Sequence, residues 1–420
     1  MSQRRVAVTG LGLVSPYGGD LADFFARLSA LESAVAHHTI DDPKRPFAVP
    51  LVCCAAFDAA GSIGKPLASM TDRFAQLALG AAFSAWTDAG LPRQPQPGAS
   101  RDGWGVSWGS AVSAVHYSEK IYRDLWQEGR ERMAPLSVLM GMGNAANAHL
   151  SIQLGLGGVS MTHSVACASS AISIGEAFRR VRSGEAEVML CGGSDAPQTY
   201  GVMRAWEALR VLAPGDGQTA SVACRPFASD RRGLVLGEGA AALVLEDWAH
   251  AQARGAAIHA ELVGFGTTCD HTHLVKPEVS GQARALRLAL ADAALAPEAV
   301  DYVNAHGTAT AEGDPTEMAA LREVFGGHAP RLAVSSTKAL HGHLLGAAGA
   351  IEAVITVLSL RQQTLVATAH LKGRLDPACE GVDHVLETRR GVPVRAALSS
   401  SFAFGGSNAV LAFRAVEPSA

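Results

Sequence analysis

The chain has 420 residues, 48% of them hydrophobic and 18% charged, with 44 glycines. That is the composition of a soluble, close-packed globular protein of about two or three domains, and it excludes a disordered or coiled-coil chain. A net charge of −4 gives no global field for nucleic acid or an anionic membrane, so a charge-guided partner must use a local patch. The seven cysteines are scattered, with no CxxC pair, which argues against a disulfide framework or a structural zinc site and for a reducing, cytoplasmic setting.

In chain order, MSQRRVAVTGLGLVSP carries two arginines, but Thr9, Gly10 and Gly12 break its apolar run and no small-residue cleavage site follows. It reads as a first strand and turn rather than a leader. No later stretch approaches the roughly 18 continuous apolar residues of a membrane helix. LPRQPQPGASRDG (Leu91 to Gly103) is expected to be an exposed, mobile insertion. VACASSAISIG places Cys167 where an apolar run meets a helix start. The free N–H groups and positive end of that helix would stabilise a thiolate and make Cys167 a nucleophile. Taken alone, the segment fits a small core cysteine among alanines better. AISIGEAFRRVRSG continues the helix, with Ile172, Ile174, Ala177 and Val181 assigned to one face, and EAEVMLCGGSD reads as a buried strand ending in a tight glycine turn.

A boundary is expected near residue 255, dividing the chain into halves 1–255 and 256–420 with the same grammar: an apolar strand, a glycine or small-residue turn, and an Ala-rich helix. This points to an α/β fold, whose ligands gather at the C-terminal ends of strands. In the second half, PEAVDYVNAHGTAT and RLAVSSTKALHGH read as two strands delivering polar residues at their ends, followed by the helix GAAGAIEAVITVLSLRQQ. His306 with Thr308 and Thr310 could bind an amide-bearing ligand, or the hydroxyls could cap the helix that starts near Pro315. His341 and His343 form an HxH pair, and DHTH (Asp270 to His273) is a second metal-like spacing. A metal is disfavoured at both because no third and fourth ligand is visible. SSSFAFGGSNAVLAF reads as strand, glycine turn, strand. The two glycines after Phe404 let main-chain N–H groups approach a ligand as an oxyanion hole, although alone the motif is more often a simple hairpin.

Together and in this order, RRVAVTGLGLVSP, DRFAQLALGAAFSAWTDAGL, VACASSA, CRPFASDRRGLVLGEGAAALVLE, AHGTAT, VSSTKALHGHLLGAAGAIE and SFAFGGSN resemble the elongating β-ketoacyl-acyl-carrier-protein synthases of the thiolase superfamily. The resemblance implies a thiolase-like five-layer α-β-α-β-α fold of two similar halves. The N-terminal half would carry the nucleophile, and the C-terminal half would carry two catalytic histidines. It implies the set Cys167, His306 and His343, since the family pattern K-x-x-x-G-H selects His343 from Lys338 and Gly342 and leaves His341 a neighbour where Thr is common. It further implies that Lys338 is a positioning residue held by Glu352, with Asp314 and Glu317 on further acidic positions. Phe404 would gate the site and share the oxyanion role with Cys167, Thr308 and Thr310 would bind the pantetheine arm, and Val112 with Trp108 would tune acyl-chain length. No metal or free cofactor is implied. The implied partner is an acyl carrier protein, and the implied assembly is a homodimer or a heterodimer with a chain-length-factor subunit.

The sequence also departs from that pattern. GLGGVS replaces the usual G-P-S, Val165 stands where Thr is frequent, and GKPLASMTDRF carries few basic residues, leaving Arg73, Arg204 and Arg210 as candidate carrier contacts. These departures favour a specialised pathway, such as a polyene or type II polyketide, over primary fatty-acid synthesis. The alternative is a non-elongating chain-length-factor partner, but those subunits typically have Gln at the nucleophile and this chain keeps Cys167. A degradative thiolase would carry a second catalytic cysteine in a CGGG turn, and FAFGGSN has none.

Overall fold

The computed structural model describes residues 3–40 and 45–416. The first half runs β1 (Val6–Val14), α1 (Arg73–Asp88), β2 (Trp104–Gly109), α2 (Ala145–Leu154), β3 (Ser160–His163), α3 (Ser169–Ser183), β4 (Val188–Asp195), α4 (Tyr200–Ala208) and β5 (Gly239–Asp247). The second runs β6 (Ala260–Cys269), α5 (Val279–Asp292), β7 (Tyr302–Asn304), α6 (Gly313–Phe325), β8 (Ala333–Ser335), α7 (Ala348–Gln362), β9 (Asp383–His384), β10 (Ala396–Phe402) and β11 (Ser407–Arg414).

These strands form one hydrogen-bonded sheet in the order β9-β8-β7-β10-β11-β6-β1-β5-β4-β2-β3. Outward from the β1–β6 junction, each half places its strands in the sequence first, fifth, fourth, second, third, with β9 added at one edge. The pairings repeat as well. In each half the second strand lies parallel to the third and fourth, and the fifth lies antiparallel to the fourth and first. Helix α1 packs on β1, β5 and β4, α3 and α7 pack on each other between the halves, and α5 covers β6 and β11 with α6 against it. The layers therefore alternate α-β-α-β-α, as the resemblance implied.

Small residues set these distances. A Cβ at Gly10 or Gly12 of β1 would lie 2.2 Å from the carbonyl oxygens of Ala85 or Ala81 on α1, so only hydrogen fits where helix meets strand. Asp88 at the end of α1 then accepts the Leu11 amide at 2.8 Å. The second half repeats the device. Gly264 and Gly266 of β6 face Ala289 and Ala285 of α5, and Asp292 accepts the Phe265 amide at 2.9 Å. In the middle layer, a Cβ at Gly349 would lie 2.8 Å from the Cβ of Ala171, and the Ala350 amide donates to Ser170 Oγ at 2.9 Å.

The structure corrects three local readings and refines a fourth. β4 runs on through Gly192 and Gly193 to Asp195 instead of turning there, because those glycines admit the Ala241 carbonyl and Ser170 at close range. Ile172 is only partly buried, since the inward face of α3 is Ser170, Ile174, Ala177 and Val181, and a residue two positions from Ile174 lies across the helix. The 91–103 segment is mostly exposed but anchored: Arg101 is buried, donates to the carbonyls of Pro92, Arg93 and Leu154 and lies over Trp86 and Trp104. Finally, Leu345–Gln362 is long and apolar enough to cross a membrane by length and composition, yet 89% of it is buried inside the protein. The sequence reading counted uninterrupted apolar residues, and Glu352, Thr356 and Ser359 break this run. α7 is buried all round because it is the core helix of the middle layer.

Candidate active site

Cys167 sits in a single 3-10 turn, Ala166–Ala168, between β3 and α3. The residue before it, Ala166, has φ 49°, a left-handed conformation that costs a non-glycine residue on the order of 1–3 kcal/mol. Ser169 holds this turn by donating to the Ala166 carbonyl at 2.7 Å and accepting the Val165 amide at 2.9 Å. The same entrance recurs before α7, where the 3-10 turn Leu345–Ala347 begins with Leu345 at φ 48°.

His343 lies just ahead of that second turn, with Nε2 3.0 Å from Cys167 Sγ. Its main chain is clamped on both sides: its amide donates to the Val235 carbonyl at 2.7 Å, and its carbonyl accepts from Gly237 at 3.0 Å. Past it, the Gly346 amide donates at 2.6 Å to Asp195, whose carboxylate also holds Ser110, Ala111 and Val112. His306 approaches from the end of β7, and its ring centroid is 5.4 Å from that of His343 at 86°. Its turn is fixed by Glu317 of α6, which accepts the amides of His306 and Gly307 at 2.7 and 2.8 Å. Burial, then the cation of Lys338, holds both imidazoles well below the usual histidine range, so each ring is neutral, with one donor and one acceptor nitrogen.

Burial also pushes the Cys167 thiol up to about 12, against Lys338 and the backbone amides of Phe404 and Cys167 that are directed at the sulfur. The free thiolate expected from the helix terminus is therefore not the resting state, because loss of solvation outweighs the terminus. Resting Cys167 is a thiol hydrogen-bonded to a neutral imidazole. Lys338 and Glu352 form a fully buried ion pair, in which burial pushes Glu352 up to about 7 against the pull of Lys338. Asp314 accepts the Phe227 amide at 2.7 Å and is pushed up to about 6, and Glu317 to about 7, in both cases by burial.

Cys167, His306, His343, Thr308, Thr310 and Phe404 line a common cavity of about 330 Å³. Phe404 stacks on Trp206 at 6.1 Å and 23°. Among the described residues, the one group able to converge on a metal is Cys167, His306 and His343. His341 lies outside it, bonded through Nε2 to Thr337 Oγ1 at 3.0 Å. In the DHTH stretch, Asp270 holds the Glu278 amide and Asn408, and His273 accepts the amides of Val275 and Lys276.

Val112 and Trp108 do not line the cavity. Val112 packs in a cluster with Met203 and Leu345, and buried Trp108 donates to Ser194 Oγ at 3.0 Å. Arg73 is committed inward to Glu238, Arg204 pairs with Glu207 over the Phe47 ring, and Arg210 is exposed. Sequence reasoning missed Asp195 and Trp206. The only local signal for Asp195 was an acidic residue closing an otherwise apolar strand.

The sequence matches the family described as "Beta-ketoacyl synthase, N-terminal domain" over residues 3–251 and "Beta-ketoacyl synthase, C-terminal domain" over 259–372. Nodulation protein E of Rhizobium sp. (strain N33) is 41% identical, covering 98% of this chain and all of the relative. 3-oxoacyl-[acyl-carrier-protein] synthase 2 of Staphylococcus aureus (strain COL) is 39% identical, covering 99% of this chain and all of that protein. A solved type II PKS acyl-carrier protein in complex with its ketosynthase bound to the hexaketide includes a chain 28% identical to this one, with TM-score 0.89 over 99% of this chain and all of that one. With matches over both halves and a thiol–imidazole pair at their meeting point, the chain belongs to the β-ketoacyl synthase family.

Proposed function

We infer that the chain is a β-ketoacyl-[acyl-carrier-protein] synthase, which joins an acyl group carried on Cys167 to a malonyl unit with loss of carbon dioxide, in fatty-acid or polyketide synthesis. The observation that carries this reading is the Cys167 Sγ to His343 Nε2 contact at 3.0 Å, in a cavity that also holds His306. Neutral His343 takes the thiol proton as Sγ attacks an acyl thioester. The pantetheine thiolate leaves and recovers that proton, and the acyl group stays on Cys167. The amides of Cys167 and Phe404, directed at this centre, receive the oxyanion, and one such donor is typically worth about 3–4 kcal/mol.

A malonyl thioester then takes the vacated arm, where Thr308 and Thr310 hydrogen-bond the pantetheine. Imidazole N–H groups of His306 and of His343, the latter now in its Nε2–H tautomer, meet its thioester oxygen, so the electron pair freed when carbon dioxide departs is stabilised there as an enolate. The enolate carbon attacks the acyl-Cys carbonyl, the C–S bond breaks, and Cys167 leaves as thiolate, which takes up one proton from solvent by way of His343. Lys338, held by Glu352, acts through its field on both rings.

Both substrates are taken to be carrier-borne. The cavity is bordered by Leu274, Val275 and Lys276, an apolar rim with one cation suited to an acidic carrier. Assembly with a second subunit, a like copy or a chain-length-factor type, is supported by Trp126 at 73% and Val138 at 76% exposure. They lie on the segment that precedes edge strand β3. The retained Cys167 and paired histidines favour an elongating subunit over a non-elongating one. The test is intact-protein mass spectrometry after incubation with an acyl thioester: the parent gains one acyl group and Cys167→Ser gains none. An adduct that persists on Cys167→Ser removes the nucleophile assignment.

A further inference from the structure

Arg73 is the first residue of α1, far from the nucleophile in sequence, and its guanidinium is turned inward, with the side chain 22% exposed. Its Nε donates to Glu238 Oε2 at 3.0 Å, and its Nη2 donates to Glu238 Oε1 at 2.9 Å and to the Cys54 carbonyl at 3.0 Å. Glu238 Oε1 also accepts the Cys54 amide at 2.8 Å. One arginine and one carboxylate thus lock residue 54 to residue 238 through four hydrogen bonds, two of them a bidentate fork whose geometry lysine cannot reproduce.

That lock closes a short zipper. Leu51 and Val52 pair in parallel with Leu236 and Gly237, and the Glu238 amide donates to the Val52 carbonyl at 3.0 Å. On its other edge the same two-residue strand bridges in parallel to His343, through the bonds from His343 to Val235 and from Gly237 to His343. His343 is therefore the third rung of a ladder whose far rail is pinned by Arg73. The fit is tight, since a Cβ at Gly342 would lie 3.0 Å from a Val52 methyl, and one at Gly237 would lie 2.9 Å from the Val52 Cβ. A shift of the 51–54 segment must pass to His343.

We propose that Arg73 and Glu238 are positioning residues for His343, which hold its Nε2 on the Cys167 sulfur through the end of strand Phe47–Val52 and the strand Leu236–Gly237. This assignment rests on the ketosynthase reading and gives Arg73 a role inside the catalytic frame, in place of the carrier contact that its sequence position suggested.

The reporter is the rate at which iodoacetamide alkylates Cys167, followed on its own peptide by mass spectrometry from pH 6 to pH 10. This measures the thiol–imidazole contact without carrier or malonyl substrate. Arg73→Gln is expected to slow alkylation about fivefold to tenfold near neutral pH and to move the profile toward higher pH, as His343→Ala does. Arg73→Gln added to His343→Ala is expected to slow it no further, because residues acting through one group are not additive. Arg73→Lys is expected to recover part of the loss. Should Arg73→Gln not fold, Glu238→Gln, which keeps an acceptor for the Cys54 amide, is expected to slow alkylation in the same non-additive way.

An unchanged profile overturns the proposal. So does an equal slowing on the His343→Ala background, which would mark a general loosening, or a rise in KM confined to carrier-borne substrates, which would return Arg73 to the docking surface. Failure of the underlying reading shows separately, as a parent that forms no acyl-enzyme.

Discussion

Replacing Lys338 by methionine removes the cation from a fully buried pair and leaves Glu352 with a carboxylate in the middle layer, whose Oε2 already lacks a partner. In the parent, Glu352 is pushed by burial from 4.5 up to about 7, with Lys338 opposing the shift. Without Lys338 that opposition is gone, and the folded-state value rises above 7. A carboxyl raised in the folded state binds more protons folded than unfolded, so its contribution falls as pH rises from its unfolded value through its folded one. Below about 7 parent and variant share this slope, and their difference is flat. Above it the variant alone keeps losing, at about 1.4 kcal/mol per pH unit.

From pH 7 to pH 9 the gap between parent and variant should therefore widen, by up to about 2.7 kcal/mol over those two units, which approaches the 3–5 kcal/mol scale for breaking a buried pair. Urea unfolding at pH 6, 7, 8 and 9 measures it. Lys338→Met with Glu352→Gln should abolish the widening, since no charge remains to be stranded. A gap constant across that range, or one that persists in the double variant, would refute the account of Lys338 as the counter-charge of Glu352.

His343→Ala should lose decarboxylation of a malonyl thioester by at least a hundredfold, and His341→Ala by less than threefold, followed as carbon dioxide release. Equal losses would mean that the two histidines have been exchanged. Gly349→Val should destabilise the fold by about 1–3 kcal/mol through overpacking, because its Cβ would meet Ala171 at 2.8 Å. The same change should slow Cys167 alkylation, and thermal unfolding with iodoacetamide labelling checks both.

Much of the site was legible because its chemistry is written in short runs. Cys167 and His306 each follow an apolar stretch, where a strand must stop and a polar residue must face the ligand, and Lys338 and His343 share the short run KALHGH. The glycine spacing of TGLGL and VGFG was the plainest sign of the internal repeat, and it went unread because its meaning lies across space, in Ala81, Ala85, Ala285 and Ala289. Arg73 misled for a similar reason. A lone arginine at a helix start reads as a candidate carrier contact until Glu238, 165 residues away, is brought beside it. The protonation of Cys167 could not be read locally either: the sequence shows a helix terminus, whereas burial is set by every layer around it.

The repeat also explains why the site lies where it does. Each half enters its middle-layer helix through a strained 3-10 turn, soon after the third strand in the first half and after the short helix Lys338–His341 in the second, with Ala166 in one and Leu345 in the other. In the first half that entrance delivers Cys167. In the second the corresponding position is Gly346, and the catalytic group, His343, stands three residues earlier. The fourth strands cross over: Asp195, closing β4, holds the Gly346 amide of the second half's entrance, while the Phe404 amide, just past β10, is directed at the sulfur of the first half's entrance. Each half thus supplies the group that fixes or serves the other's entrance. Cys167, the two imidazoles and the Phe404 amide come into register only when both halves are docked, and an isolated half would hold a cysteine or a histidine pair with no partner to act on.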